Sequence, residues 1–259
     1  MSSLRLSRLS IVSLLVATAL AGCTALAGCS AGSPKRAAAP GPGPNDRLRA
    51  TLVSPTNIRL DWKDDEPAAA GRIIEFATEP DGQYTILQFV PTHQVTYTHP
   101  DLMPETPFYY RLRPYFGPAS RPIELTLPKG PLGQAEDDEQ DWAAPLTIHN
   151  GPVATQSIRT SNPPAAAAPT DLKATIVHSN GIRFTWTDHA SDEEGYLLEV
   201  KPAGRADFEV TAVLDPDINS VGLITLPEEK TASFRVRAFY YGKPTNIAHQ
   251  TTGQGPEST

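Results

Sequence analysis

The sequence has little cysteine, few aromatic residues, few basic clusters and no long apolar run. Only two cysteines occur in 259 residues, Cys23 and Cys29, which excludes a disulfide scaffold. Aromatic residues make up 7% and hydrophobic residues 39%. A core built from them must be economical, but the chain is not poor enough for wholesale disorder. Lysine and arginine number 22 against 29 acidic residues, for a net charge of −7. That balance speaks against nucleic acid, whose phosphates require basic clusters. The apolar run Leu9 to Ala21 is too short to cross a bilayer of about 30 Å as a permanent helix. Sequence signatures of catalysis are missing as well. There is no Gly-x-Ser-x-Gly elbow, no His-Glu-x-x-His and no phosphate-binding glycine loop. The six histidines His93, His99, His149, His178, His189 and His249 do not have zinc-site spacing. No enzyme activity, cofactor or metal is therefore expected. Glycine and proline, by contrast, are abundant at 18 and 26 residues. They favour short strands, turns and extended linkers over long helices.

The N-terminus carries an address. Arg5 and Arg8 precede the apolar run, and small residues follow it, which is the layout of a secretory signal. Leu20-Ala21-Gly22-Cys23 resembles the bacterial lipobox. The resemblance implies cleavage after residue 22, diacylglycerol on Cys23, and further acylation such as palmitate. Leu26-Ala27-Gly28-Cys29 is a second match, so Cys29 is the alternative lipidation site; Cys23 is favoured because it directly follows the apolar run. Removing residues 1–22 leaves 20 basic and 29 acidic residues, a charge of −9. Acyl chains rather than electrostatics would then hold the protein to a membrane. Thr24 is not the Asp that resembles an enteric inner-membrane retention signal. The expected location is the bacterial cell envelope, lipid-anchored at the outer membrane, on its periplasmic face or at the cell surface.

Residues 23–45 are rich in Ala, Pro and Gly and read as a disordered tether. Beyond them the chain repeats itself. Asn57-Ile58-Arg59-Leu60-Asp61-Trp62 matches Gly181-Ile182-Arg183-Phe184-Thr185-Trp186 at an offset of 124 residues. The same offset takes Asp64 to Asp188, Gly71 to Gly195, Glu75 to Glu199 and Tyr84 to Phe208. It also takes Leu102 to Leu226, Arg111 to Arg235 and Arg113 to Arg237. Two copies of one unit are expected, at 46–127 and 169–252, with a tail at 253–259. Apolar residues alternate in each copy, as in Ile182, Phe184, Trp186 and Phe234, Val236, Ala238, which predicts half-buried strands. Regularly spaced short strands over about 80 residues suggest a β-sandwich.

Those residues resemble the fibronectin type III domain. Ala168 to Ala174, Trp186-Thr187-Asp188, Asp192 to Tyr196 and Phe234 to Ala238 carry the likeness in the second copy. Thr96 to Thr106 carries it in the first. The resemblance implies an all-β fold of two tandem fibronectin type III-like, immunoglobulin-like sandwiches. Two departures stand out. Phe108 and Ala232 occupy the position of a corner tyrosine, and Arg72 stands where the second copy has Tyr196. Between the copies, residues 128–168 read as an acidic and Pro/Ala-rich linker containing the run Glu136 to Asp141. Short strands at Leu146–Ile148 and Val153–Ile158 are expected to pack on copy one.

Several residues invite a functional reading. Asp188, His189, Asp192, Glu193 and Glu194 offer hard ligands for calcium but not the EF-hand spacing; a solvated loop is the simpler expectation. Trp62 and Trp186 fall at matching inward positions and read as core. Continuing the alternation places Tyr115, Phe239 and Tyr241 outward near the last hairpin, as a candidate binding surface. The competing expectation is that they pack on the neighbouring copy, the linker or a strand surface. The function expected is a non-catalytic, membrane-anchored binding or spacing module for protein interaction or adhesion. The alternative is an accessory carbohydrate-binding component of extracellular polysaccharide processing. A protein or glycan is thus the expected partner, besides the membrane reached through the lipid anchor.

Overall fold

The computed structural model describes residues 47–63, 65–128, 142–149 and 151–254. The signal peptide, Cys23, Cys29, the tether, Asp64 and the acidic run at 136–141 lie outside those residues. The described residues contain strands and short 3-10 turns, with no α-helix. None of them forms a helix long and apolar enough to cross a membrane.

The first sandwich opens with β1 (Leu48–Ser54), β2 (Asn57–Trp62), β3 (Gly71–Ala77), β4 (Thr85–Val90), β5 (Thr96–His99) and β6 (Pro107–Phe116). One sheet has the order β1-β2-β5; β4, β3 and β6 pair in the facing sheet. Period-two alternation sends Ile58, Leu60 and Trp62 from one sheet, and Phe108, Tyr110 and Leu112 from the other, into a shared core. Then β7 (Ile123–Thr126) is followed by the second sandwich: β8 (Thr170–His178), β9 (Gly181–Thr187), β10 (Gly195–Pro202), β11 (Glu209–Leu214), β12 (Ser220–Ile224) and β13 (Thr231–Tyr241). Its sheets repeat the arrangement, β12-β9-β8 facing β11-β10-β13. Ile182, Phe184, Trp186, Phe234 and Val236 fill its core. The strand β14 (Ala248–Thr251) closes the described chain.

The last strand of each sandwich comes from the other half of the chain. β7 does not fold back on β6; it pairs with β13, with Thr126 opposite Thr231 and Ile123 opposite Phe234. β14 returns to pair with β6, with Ala248 opposite Tyr110 and Thr251 opposite Pro107. Side chains follow the backbone. Leu127, with Ile123 and Leu125 beside it, packs into the second core, and Ala248 is buried in the first. Between the two exchanged strands, β6 and β13 meet, with Phe116 opposite Tyr240 and Tyr115 opposite Tyr241. Phe116 and Tyr240 are equivalent under the 124-residue offset, so the pseudo-twofold axis of the pair passes between them. The two sheets that contain β6 and β13 thereby join into one eight-stranded sheet.

A hairpin between these strands would require a reversal, and the sequence there opposes one. Gly117-Pro118 and Lys243-Pro244 stand where turn dipeptides such as Asn-Gly would be expected, and the residue before a proline is pushed toward extended conformations. The chain therefore runs straight on across the axis. Gly117 permits the close crossing: its φ is +124°, and a Cβ there would collide with the Ala238 carbonyl.

These pairings correct two expectations. The sandwiches do not end at 127 and 252, because each is completed by a distant segment. The expected strands at 146–148 and 153–158 add nothing to the first sandwich. Leu146 exchanges backbone hydrogen bonds with Ser220 on the edge of β12, and Gln156 bridges to Ala190. Ile158 and Ala167 enter the second core. The described linker residues lie on the second sandwich, the one that β7 joins.

Candidate interaction surface

Tyr115, Phe239 and Tyr241 do point away from the core of their own sandwich, as the alternation requires. They do not form an open surface. The fused sheet curls until β4 touches β11, and its outer faces close on one another. Ile73, Tyr115, Leu197 and Phe239 form a third buried cluster, with Ile86, Phe89, Val210 and Tyr241 packed around it. Tyr115 is 5% exposed and Phe239 1%. Packing on the neighbouring copy accounts for them. The rings meet edge to face, Phe89 with Tyr115 at 5.8 Å and Phe239 with Tyr241 at 5.0 Å, the arrangement their quadrupoles favour. Burial pushes the Tyr115 hydroxyl up to about 12, helped by Glu199 and opposed by Arg237 and Arg235, all from the other sandwich.

Next to this cluster lie two matching charge clusters. In the first sandwich Glu75 accepts Nε hydrogen bonds from Arg111 at 2.5 Å and Arg113 at 3.3 Å. In the second, Glu199 accepts from Arg235 and from Arg237 Nε at 3.0 Å. Each glutamate is buried, each pair of arginines brackets it from the neighbouring strand, and each cluster carries one surplus positive charge. Aromatic rings cover the outer arginines: Arg111 lies 4.2 Å from the Tyr84 ring and Arg235 3.9 Å from Phe208. Arg237 also donates through Nη1 to the Gly117 carbonyl at 2.7 Å, tying the crossing segment to the second sandwich. All six charged residues recur at the 124-residue offset and share one strand face by period two. The offset and the period-two spacing are visible in the sequence; the cluster is not, because its members sit on different strands.

Other residues singled out in the sequence fall in separate places. Trp62 and Trp186 are core, at 6% and 3% exposure. Arg72 is buried in place of a tyrosine, and its guanidinium reaches the Thr92 and Glu66 carbonyls at 3.4 Å. Tyr196, at the equivalent position, donates instead to Asp188. The acidic loop divides. Asp192 is used by Ser157 and the Ile158 N–H, and Glu194 by Arg159. Asp188 and Glu193 join Asp217, their carboxylates within 4.8 Å of one another. Burial raises the Glu193 carboxyl, and the neighbouring Asp188 adds to the rise. Asp217 was not anticipated, because it approaches from a different loop. The other histidines remain dispersed; His99 lies against Phe76, Phe108 and Tyr110.

No protein-family profile and no curated protein matches the chain. Among solved structures, a two-domain fibronectin type III segment from chicken tenascin is 13% identical, covering 81% of this chain and 98% of its own, at a TM-score of 0.25. A computationally redesigned β-sandwich protein is 18% identical, covering 26% of this chain and 71% of its own, at a TM-score of 0.23. The fold is read from the strands themselves. A three-stranded sheet faces a four-stranded one in each half, giving two tandem fibronectin type III-like sandwiches.

Proposed function

We propose that this protein is a lipid-anchored component of the bacterial envelope and acts as a non-catalytic binding and spacing module. The sandwich fold is compatible with such a role, though fold alone does not fix function. The reciprocal exchange of β7 and β14 is the observation that carries the reading. It turns two small sandwiches into one body whose relative orientation is held by continuous backbone pairing, as a platform presenting surfaces at a defined distance requires. The N-terminal signal supports the anchor: a basic start, a short apolar run and a cysteine after Leu-Ala-Gly. The first described residues are held to the sandwich, where Asn246 accepts hydrogen bonds from the Arg47 and Leu48 N–H groups.

Two measurements test this. Mass spectrometry of the mature N-terminus should find a diacylated cysteine at position 23, with position 29 the alternative; an unmodified N-terminus removes the anchor. Affinity capture from detergent-solubilised membranes should recover a specific partner. Recovery of none across several detergents and salt concentrations removes the binding role.

A further inference from the structure

The two charge clusters on the fused sheet are not equivalent, and the difference lies where the chain crosses from β13 to β14. In the second sandwich, Arg237 spends its donors on Glu199 and the Gly117 carbonyl, and Ala119 sits opposite it. In the first, Arg111 and Arg113 each give only Nε to Glu75. Among the described residues their Nη groups donate no hydrogen bond; one face of each guanidinium lies on a ring, Arg111 on Tyr84 at 4.2 Å and Arg113 on Tyr241 at 5.1 Å, which leaves the edges for an acceptor. Tyr241 faces Tyr115 across β13 and β6, and carrying that register two residues further brings Lys243 opposite Arg113. The Gly242 N–H bonds the Pro114 carbonyl at 2.8 Å, and a Cβ on Gly242 would point at Phe116 and Pro114. Successive residues of an extended chain point to opposite faces, so Lys243 projects to the Arg113 side, and it is exposed.

Two arginines thus share one carboxylate on the outer face of the sheet, and the register sets a third cation beside Arg113, in a chain whose net charge is −7. Like charges opposite one another across strands are destabilising. Nearby Glu194 does not offset them, being paired with Arg159 at 2.5 Å. The side chains of Arg111 and Arg113 are 24% and 22% exposed, so an outside acceptor can reach their edges. We propose that Arg111, Arg113 and Lys243 bind carboxylates of an acidic, extended peptide segment on a partner protein. Guanidinium edges match carboxylates in a planar, two-bond geometry. Arg111 and Arg113 are two residues apart on one strand, about 6.6 Å. Glutamates or aspartates at alternate positions of an extended peptide have the same repeat. This site specifies the partner chemistry of the binding role proposed above and rests on it.

The test is titration of the full mature chain with a fluorescent Glu-Thr-Glu-Thr-Glu peptide, followed by anisotropy. Binding should be lost on raising salt and weakened at least tenfold by Lys243→Glu. Lys173→Glu, an exposed charge reversal on β8, should leave it unchanged. No binding of the peptide, or equal binding by the Lys243→Glu protein, overturns the proposal. Binding of an oligouronate but not the peptide overturns it in favour of a glycan. Membrane capture separates the two levels: if Lys243→Glu still captures the wild-type partner, this site falls and the binding role stands.

Discussion

At the residue scale, the internal repeat works as a comparison of two solutions to one packing problem. Where the second sandwich has Leu223 and Phe234 in its core, the first has His99 and Tyr110 at the same offset, joined by a 3.0 Å hydrogen bond. Burial lowers the His99 pKa from 6.5 to about 4, so the folded chain holds the ring neutral while the unfolded chain protonates it. Its contribution to stability is complete above pH 6.5 and is lost as pH falls from 6.5 toward 4. A His99→Leu, Tyr110→Phe protein, built to match the second sandwich, should show a shallower loss of thermal stability across that interval. An unchanged slope in paired melts would refute it. Glu199 is the opposite case, a residue both halves keep. Glu199→Gln leaves Arg235 and Arg237 without their shared counter-charge, beside buried Tyr115. The loss should be about 3–5 kcal/mol in chemical denaturation, the range for breaking a buried pair from one side. Arg121→Gln, at an exposed site, should cost less than about 0.5 kcal/mol.

At the element scale, the equivalent edge strands β5 and β12 are covered by different means. The Thr96 carbonyl on β5 is capped by the Gln94 side chain at 2.9 Å. Its equivalent, Ser220 on β12, pairs with Leu146 of the linker. Trp142 then lies across Gly222, where any Cβ would strike its ring. Gly222→Ala should release this strap, read as faster amide exchange at Leu146 and Ile148 with the global melting temperature little changed. Unaltered exchange would show the strap does not depend on that contact. Much of the element pattern was legible in sequence: alternation located the strands, and the offset of 124 paired them between copies. The destination of β7 and β14 was not. A strand has the same alternation whether it turns home or crosses over, because period two records which face is buried and not whose core buries it. Only the prolines at 118 and 244, in place of turn dipeptides, hinted at a straight run. The outward aromatics left two expectations open, a binding surface or packing on the neighbouring copy, for a related reason. Local pattern gives the direction of Tyr115 but not the curl of the sheet that covers it.

At the scale of the whole molecule, the exchange makes the covalent connection between the halves redundant. A protease site inserted between residues 129 and 141, then cleaved under native conditions, should yield two fragments that stay together in size-exclusion chromatography. Each fragment retains the strand that completes its partner. Elution as separate species would mean that β7 and β14 return to their own halves. The same feature bears on how such a gene can change over generations. Ordinary tandem sandwiches gain and lose units by unequal recombination, since each copy is complete. Here removal of one repeat would leave the other with a missing strand and an uncovered edge, and addition of a third would leave one without a reciprocal partner. A recombination event that keeps every strand paired as it is here would therefore have to copy or delete the pair rather than a single repeat.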